Sequence, residues 1–297
     1  MRIVTSGRRY IDIDAYATMI GYAYLLNLKG IEAKAITSAK LNESITEKIL
    51  SMENKLDEYE IKENDEFIIV DVSDKGFLDD LVNIDKVIGI IDHHPGFEDQ
   101  WRNLENDAII EPIGAVATII VEMYEKEGYL EKMPQEIAYM LMAAILDNTL
   151  NFKAKITTSR DIESYNKLNK IVKNDKLAEE YFKECQEKIL LNPVDSIKND
   201  TKIGVVSNIL PPVMGQLVLW DKDYFIKNMD LLIETMESFK EDWIMNLISL
   251  KDGKSYIIAT DNIIKNKIEK LFGLQYNGDI MELDDVWLRK EIIKKAI

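Results

Sequence analysis

The chain is poor in several residue types that usually advertise a function: it has one cysteine, two histidines and six prolines in 297 residues. The lone Cys185 forms no internal disulfide and excludes a cysteine-rich structural zinc site, which suits a reducing, cytoplasmic setting. Long hydrophobic runs are missing as well. The longest, 137–146, falls well short of the ~20 residues that a membrane span needs. The charged start of the chain is followed by no apolar core of signal-peptide length. Positive charge is in deficit, with 37 Lys and Arg against 53 Asp and Glu for a net −16. That balance argues against nucleic acid or an anionic membrane as a partner. A pocket with a few basic residues or a divalent metal still binds a small polyanion. The glycines make no Walker-type phosphate loop, and the chain has no repeat and no low-complexity segment.

What is present is 46% hydrophobic content, enough for ordinary cores, laid out as strands alternating with helices. The pattern predicts strands at 2–6, 32–37, 67–70, 87–91 and 108–111. It predicts helices at 15–29, 43–52, 77–81, 115–126, from Pro134 onward, 159–172 and 175–189, with Asp14, Ser159 and Asp175 as N-caps. Continuously apolar strands interleaved with helices predict an α/β fold: an N-terminal doubly wound parallel sheet with helices on both faces, in a first domain 1–189. Asn192-Pro193-Val194-Asp195-Ser196 interrupts the helical pattern and marks a linker, 190–196. Strands at 202–208, 243–250 and 255–260 and helices at 224–239 and 262–272 then predict a smaller C-terminal α/β domain, 197–297, with a mixed sheet.

The two histidines are adjacent, in Ile90-Ile91-Asp92-His93-His94, behind an acid at the end of a buried strand. In doubly wound sheets ligands sit outside the carboxyl ends of the strands. Asp12 and Asp14 follow the first strand there, Asp71 the third, and Asp92 with the histidines the fourth. One reading makes Asp12 and Asp14 mere loop and cap residues and the imidazoles a solvated turn. The other starts from the cost of burying acids without partners. Asp12, Asp14, Asp71 and His93 form a ligand set suited to one or two Mg2+ or Mn2+ ions. Two ions sharing a carboxylate are an arrangement used for hydrolysis at phosphorus.

These motifs, in this order, resemble the DHH phosphoesterase superfamily, in the branch of manganese-dependent (family II) inorganic pyrophosphatases, exopolyphosphatases and Prune-like proteins. Residues 7–15 resemble the first motif, Val70-Asp71 the second, Asp92-His93-His94 the third, and 143–161 the fourth. The resemblance implies that Asp12 and Asp71 serve one metal, and Asp14, Asp71 and His93 the other. It implies that Asp92 orients a histidine while His94 faces a small phosphorylated substrate. It further implies substrate bound between two domains hinged near Pro193, phosphate contacts from Lys198, Arg289 and Lys290, and allows a homodimer paired through an edge strand. Taken alone, Arg289 and Lys290 read equally well as a basic, solvated helix end.

Two positions depart from that pattern. Arg8 stands where the family places a histidine ligand, and Asn148 where it places an aspartate, with Asp147 one position early. Arg8 cannot bind a cation. With Arg9 it is a candidate for holding a phosphate or carboxylate of the substrate. Asn148 is a weak oxygen ligand, and Asp147 replaces it only if the helix end is rewound. The sequence thus predicts a metal-dependent phosphohydrolase with an altered metal site. Its alternative is a diverged, non-catalytic polyanion-binding protein of the same fold.

Overall fold

The computed structural model describes residues 1–296, the side chains of Glu105 and Asn106 excepted. Two compact units divide the chain, Met1–Ala178 and Glu179–Ile297. In the first, β1 (Arg2–Thr5), β2 (Ala33–Ala35), β3 (Glu66–Val70), β4 (Val87–Asp92) and β5 (Ala108–Ile110) form one sheet in the order β2-β1-β3-β4-β5. Every neighbouring pair is parallel. The chain steps from β1 outward to β2, then returns past β1 and continues through β3, β4 and β5. The point where the winding reverses therefore lies between β1 and β3, and it is there that such sheets open a crevice. Ile3, Phe67, Ile69, Val87 and Ile90 pack with Trp101 and Leu78 into one apolar cluster.

The helices of this unit are α1 (Ile13–Leu28), α2 (Glu47–Leu50), α3 (Val116–Lys126), α4 (Gln135–Asn148) and α5 (Ser159–Val172). Asp14 does not cap α1. Asp12 does, in extended backbone, with its Oδ1 accepting from Ala15 N at 3.0 Å, while Asp14 lies fully buried in the first helical turn. Likewise Thr158, not Ser159, caps α5, in a reciprocal box with Asp161. The helix expected at 77–81 shrinks to a 3-10 turn, Lys75–Phe77, because Asp74 caps Gly76 and Leu78 then bridges back to Gly7.

In α6 (Leu177–Leu191) and α7 (Pro193–Asn199) only Asn192 falls outside the helices, so the expected linker 190–196 is mostly helical. Pro193 begins α7, where its missing N–H costs nothing. The second unit holds β6 (Thr201–Ile203), β7 (Val213–Leu219), β8 (Trp243–Ser249), β9 (Lys254–Ile258) and β10 (Ile280–Leu283), in the order β10-β9-β8-β7-β6. Only β7 and β8 are parallel, so this sheet is mixed, as expected. Asn228 splits the expected helix 224–239 into α8 (Asp223–Lys227) and α9 (Met229–Glu237). Strand alternation sends Leu217, Met245 and Leu247 toward Ile197, Phe225 and Met236. Met214, Ile244 and Ile257 go to the other face, against α10 (Asn262–Phe272) and α11 (Arg289–Lys295).

Asp161 ties the helix ends near the crevice together. It is fully buried. Its Oδ2 accepts from Gly114 N at 3.1 Å and from Thr158 N and Oγ1 at 2.8 Å, and its Oδ1 accepts from Thr118 Oγ1 at 2.6 Å. A Cβ on Gly114 would stand 2.6 Å from that Oδ2, so only glycine allows the approach. Arg160 adds a paired clamp to Glu111 and Glu122. Replacing Asp161 with alanine orphans these buried donors and should cost about 2–4 kcal/mol of unfolding free energy. Urea denaturation measures it, and a loss under about 0.5 kcal/mol, ordinary for a surface change, would contradict the role.

Candidate metal centre

Three strand ends converge at the crevice. Asp71 leaves β3 with φ 58°, a left-handed backbone unusual for a residue with a side chain, while its N–H donates to Ile91 O at 2.9 Å. Its side chain is only 7% exposed, and its Oδ1 has no hydrogen-bond partner. His93 and His94 follow β4, their rings edge to face at 4.4 Å. Ligand atoms of Asp71, His93 and His94 lie within 4.8 Å of one another. Among the described residues no other His, Asp or Glu joins that group.

The hydrogen bonds assign the tautomers. His93 Nδ1 lies 3.0 Å from Ile113 O, and a carbonyl only accepts, so Nδ1 carries the proton. The Nε2 lone pair is left facing Asp71 Oδ1 at 3.5 Å. Burial, together with the charge of His94, pushes the His93 pKa down and keeps the ring neutral. His94 Nδ1 sits 2.9 Å from Asp92 Oδ1, which also accepts from His93 N at 2.7 Å. That bond raises the pKa of the more exposed His94 against the effect of burial. Burial raises Asp92, but the bond and charge of His94 outweigh it and hold its carboxyl below the usual range.

Asp14 touches a different element. Its two oxygens accept from Val116 N at 2.8 Å and Ala117 N at 2.9 Å, the open amides at the start of α3. Burial, with Asp12 beside it, nevertheless pushes its pKa up to about 8. Burial also raises Asp71 well above its ordinary value, helped by Asp12, Asp14 and Asp92. Four acids thus crowd one space, and His94, the basic group nearest them, is bonded to Asp92 rather than to Asp14 or Asp71. Two bare acceptors aimed at each other, Nε2 of His93 and Oδ1 of Asp71, fit a shared cation. A divalent ion of the Mn2+ or Mg2+ kind suits this mixed nitrogen and oxygen set.

The remaining expected residues fall elsewhere. Arg8 does not enter the cluster; its Nη1 lies 3.7 Å from Asp80 Oδ1, an exposed pair of little strength. Arg8 and Arg9 instead line a cavity of about 330 Å3 that also reaches Asp12, Asp71 and His94. α4 runs unbroken through Asn148, so its end is not rewound, and Asp147 and Asn148 are both half-buried in successive helical positions. In the second unit Lys198 is exposed on α7. Arg289 spends its guanidinium on Asp200, with Nη1 2.6 Å from Asp200 O and Nη2 2.8 Å from its carboxylate, which leaves Lys290 and Lys202 as the cations of a second cavity beside it. Sequence reasoning missed the Ile113 carbonyl that fixes His93, for which no side chain gives a signal.

Known proteins resemble this chain in sequence and in fold. Residues 2–145 match the DHH family, N-terminal domain. The manganese-dependent inorganic pyrophosphatase of Methanocaldococcus jannaschii is 28% identical, over 98% of this chain and 96% of that one. The enzyme of the same name from Methanothrix thermoacetophila is 28% identical, over 97% and 95%. A solved Methanococcus jannaschii structure assigned to family II inorganic pyrophosphatases superposes with TM-score 0.59 at 24% identity, covering 100% of this chain and 99% of that one. An exopolyphosphatase-related protein from Bacteroides fragilis gives 0.55 at 14% identity, covering 99% and 89%. Residues 2–145 of the first unit carry the match to the DHH family, and the chain as a whole is similar in sequence and length to manganese-dependent inorganic pyrophosphatases.

The crowded acids make a pH prediction. An acid whose folded pKa is raised destabilises the fold as pH climbs from its unfolded value to its folded one. For Asp14 that window runs from 3.8 to about 8. Metal-free protein should therefore melt at a lower temperature at pH 8 than at pH 5, and Asp71→Asn should reduce the difference. Mn2+ should raise the melting temperature more at pH 8, where the acids are ionised. Calorimetric scans with chelator and with Mn2+ check both, and a Mn2+ effect that is absent or indifferent to pH would count against the site.

Proposed function

We propose that this protein is a metal-dependent hydrolase of a phosphoanhydride or phosphoester, acting at the Asp71–His93–His94 cluster. The observation that carries the reading is the pair of partnerless acceptors, His93 Nε2 and Asp71 Oδ1, at the crevice of a DHH-family sheet. Asp71 and His93 would hold the ion, with Asp12 and Asp14 adding negative charge around it. A divalent ion held there would supply Lewis acidity toward a phosphoryl oxygen and would make water more acidic. The chain's own groups do the rest. Asp92 fixes His94 by its Nδ1 and raises its pKa, so that near neutral pH the ring can hold a proton for a departing oxygen. Arg8 and Arg9, at the cavity wall, offer forked donors to phosphate oxygens. The basic pocket around Lys202 and Lys290 offers a phosphate site on the second unit, with Arg289 as its support.

Arg8 in place of a histidine and Asn148 in place of an aspartate favour a second reading, a polyanion-binding protein without turnover. It predicts no Mn2+-linked stabilisation at all.

Purified protein with Mn2+ or Mg2+ should release phosphate from some member of a panel of pyrophosphate, short polyphosphates, nucleotides and sugar phosphates. Asp71→Ala and His93→Ala should each lower that rate on the order of a hundredfold or more, since changing even a group that merely supports a metal ligand costs up to that. Activity that survives both changes sinks the assignment.

A further inference from the structure

The cavity above the cluster is walled by aromatic rings as well as charge. Tyr10, Phe77 and Phe97 line it together with Arg8 and Arg9. Tyr10 is 57% exposed and Phe77 36%. Single exposed aromatics are ordinary, but rings grouped around one cleft beside two guanidiniums are a recognition surface. The wall is also preassembled. Arg9 Cζ lies 4.6 Å from the centroid of the Phe77 ring, a cation–π stack. Arg8 N donates to Phe77 O at 2.9 Å, and Gly7 bridges Leu78. A Cβ on Gly7 would stand 3.3 Å from Phe77 O, so the loop after β1 and the turn at 75–78 meet closely.

An inorganic phosphate or pyrophosphate is charged on every face and has no use for such a wall, against which it would lose water without compensation. A phosphate ester with a flat ring uses both ends: the anion toward Arg8 and the cluster, and the ring against Phe77, Arg9 and Tyr10. A cavity of about 330 Å3 has the size of a small-molecule site rather than of a lone anion. We propose that the cleft takes phosphomonoesters whose organic part is a planar heteroaromatic ring, of the nucleoside monophosphate class. The phosphate end of this proposal rests on the hydrolase reading, and the ring end does not.

The test compares calorimetric binding of adenosine 5'-monophosphate and ribose 5-phosphate, each with Mn2+, which share the phosphate and the sugar and differ in carrying a base or a hydroxyl at C1'. The native protein should favour the nucleotide by about tenfold or more, the usual worth of stacking one base on an aromatic side chain. Phe77→Ala and Tyr10→Ala, both at exposed positions, should each shrink that ratio several-fold, and a ratio is insensitive to any shared loss of folded protein. A native ratio near one, a ratio equal in the variants, or no nucleotide binding up to millimolar concentration overturns the proposal. The two readings fail separately. Ring preference without phosphate release from any substrate defeats only the hydrolase, and pyrophosphate hydrolysis without ring preference defeats only this proposal.

Discussion

His93 donates its Nδ1 proton to the Ile113 carbonyl, and that one bond decides what the site can be. It turns the Nε2 lone pair inward, onto a carboxylate oxygen that has no other partner. Two acceptors at that distance repel unless something positive stands between them. A proton on Asp71 would serve, and burial raises its pKa accordingly. A divalent ion would serve better, because it satisfies both lone pairs and the charge of the neighbouring acids together.

The loop that carries Ile113 is held by three hydrogen bonds to two acids. Gly114 N donates to Asp161, and Val116 N and Ala117 N donate to Asp14. The start of α3 is therefore fixed by acids from α1 and α5, and His93 inherits its orientation from that frame. Asp14 thus has a structural use that its place beside the Asp71–His93–His94 cluster does not reveal. A carboxylate that anchors helix amides keeps its oxygens pointed in one direction, which is the kind of support a ligand set needs to stay in place.

Much of this was legible in the chain. Continuous apolar strands followed by Asp12 and Asp14, by Asp71 and by Asp92 announced a parallel sheet with a site at its carboxyl edge, because burial on both faces leaves only that edge for polar work. The paired histidines announced their own importance by being the sole two in the protein. What escaped was contact that no local pattern encodes. The cap of α1 moved from Asp14 to Asp12 because tertiary donors from α3, a hundred residues away in the chain, claimed Asp14. Pro193 read as a break and proved to be the first residue of a helix, since proline suits both. The wall of Tyr10 and Phe77 was invisible because its two halves lie far apart in sequence and meet through backbone bonds.

The claim at the centre is that His93 and Asp71 share one cation. Anomalous diffraction from crystals soaked in Mn2+, recorded on both sides of the manganese absorption edge, locates such an ion directly. A peak within bonding distance of His93 Nε2 and an Asp71 oxygen is the expected result, at roughly 2.0–2.3 Å for a divalent ion with nitrogen and oxygen ligands. Well-ordered His93 and Asp71 with no peak between them, at Mn2+ concentrations that occupy other sites in the crystal, would contradict it.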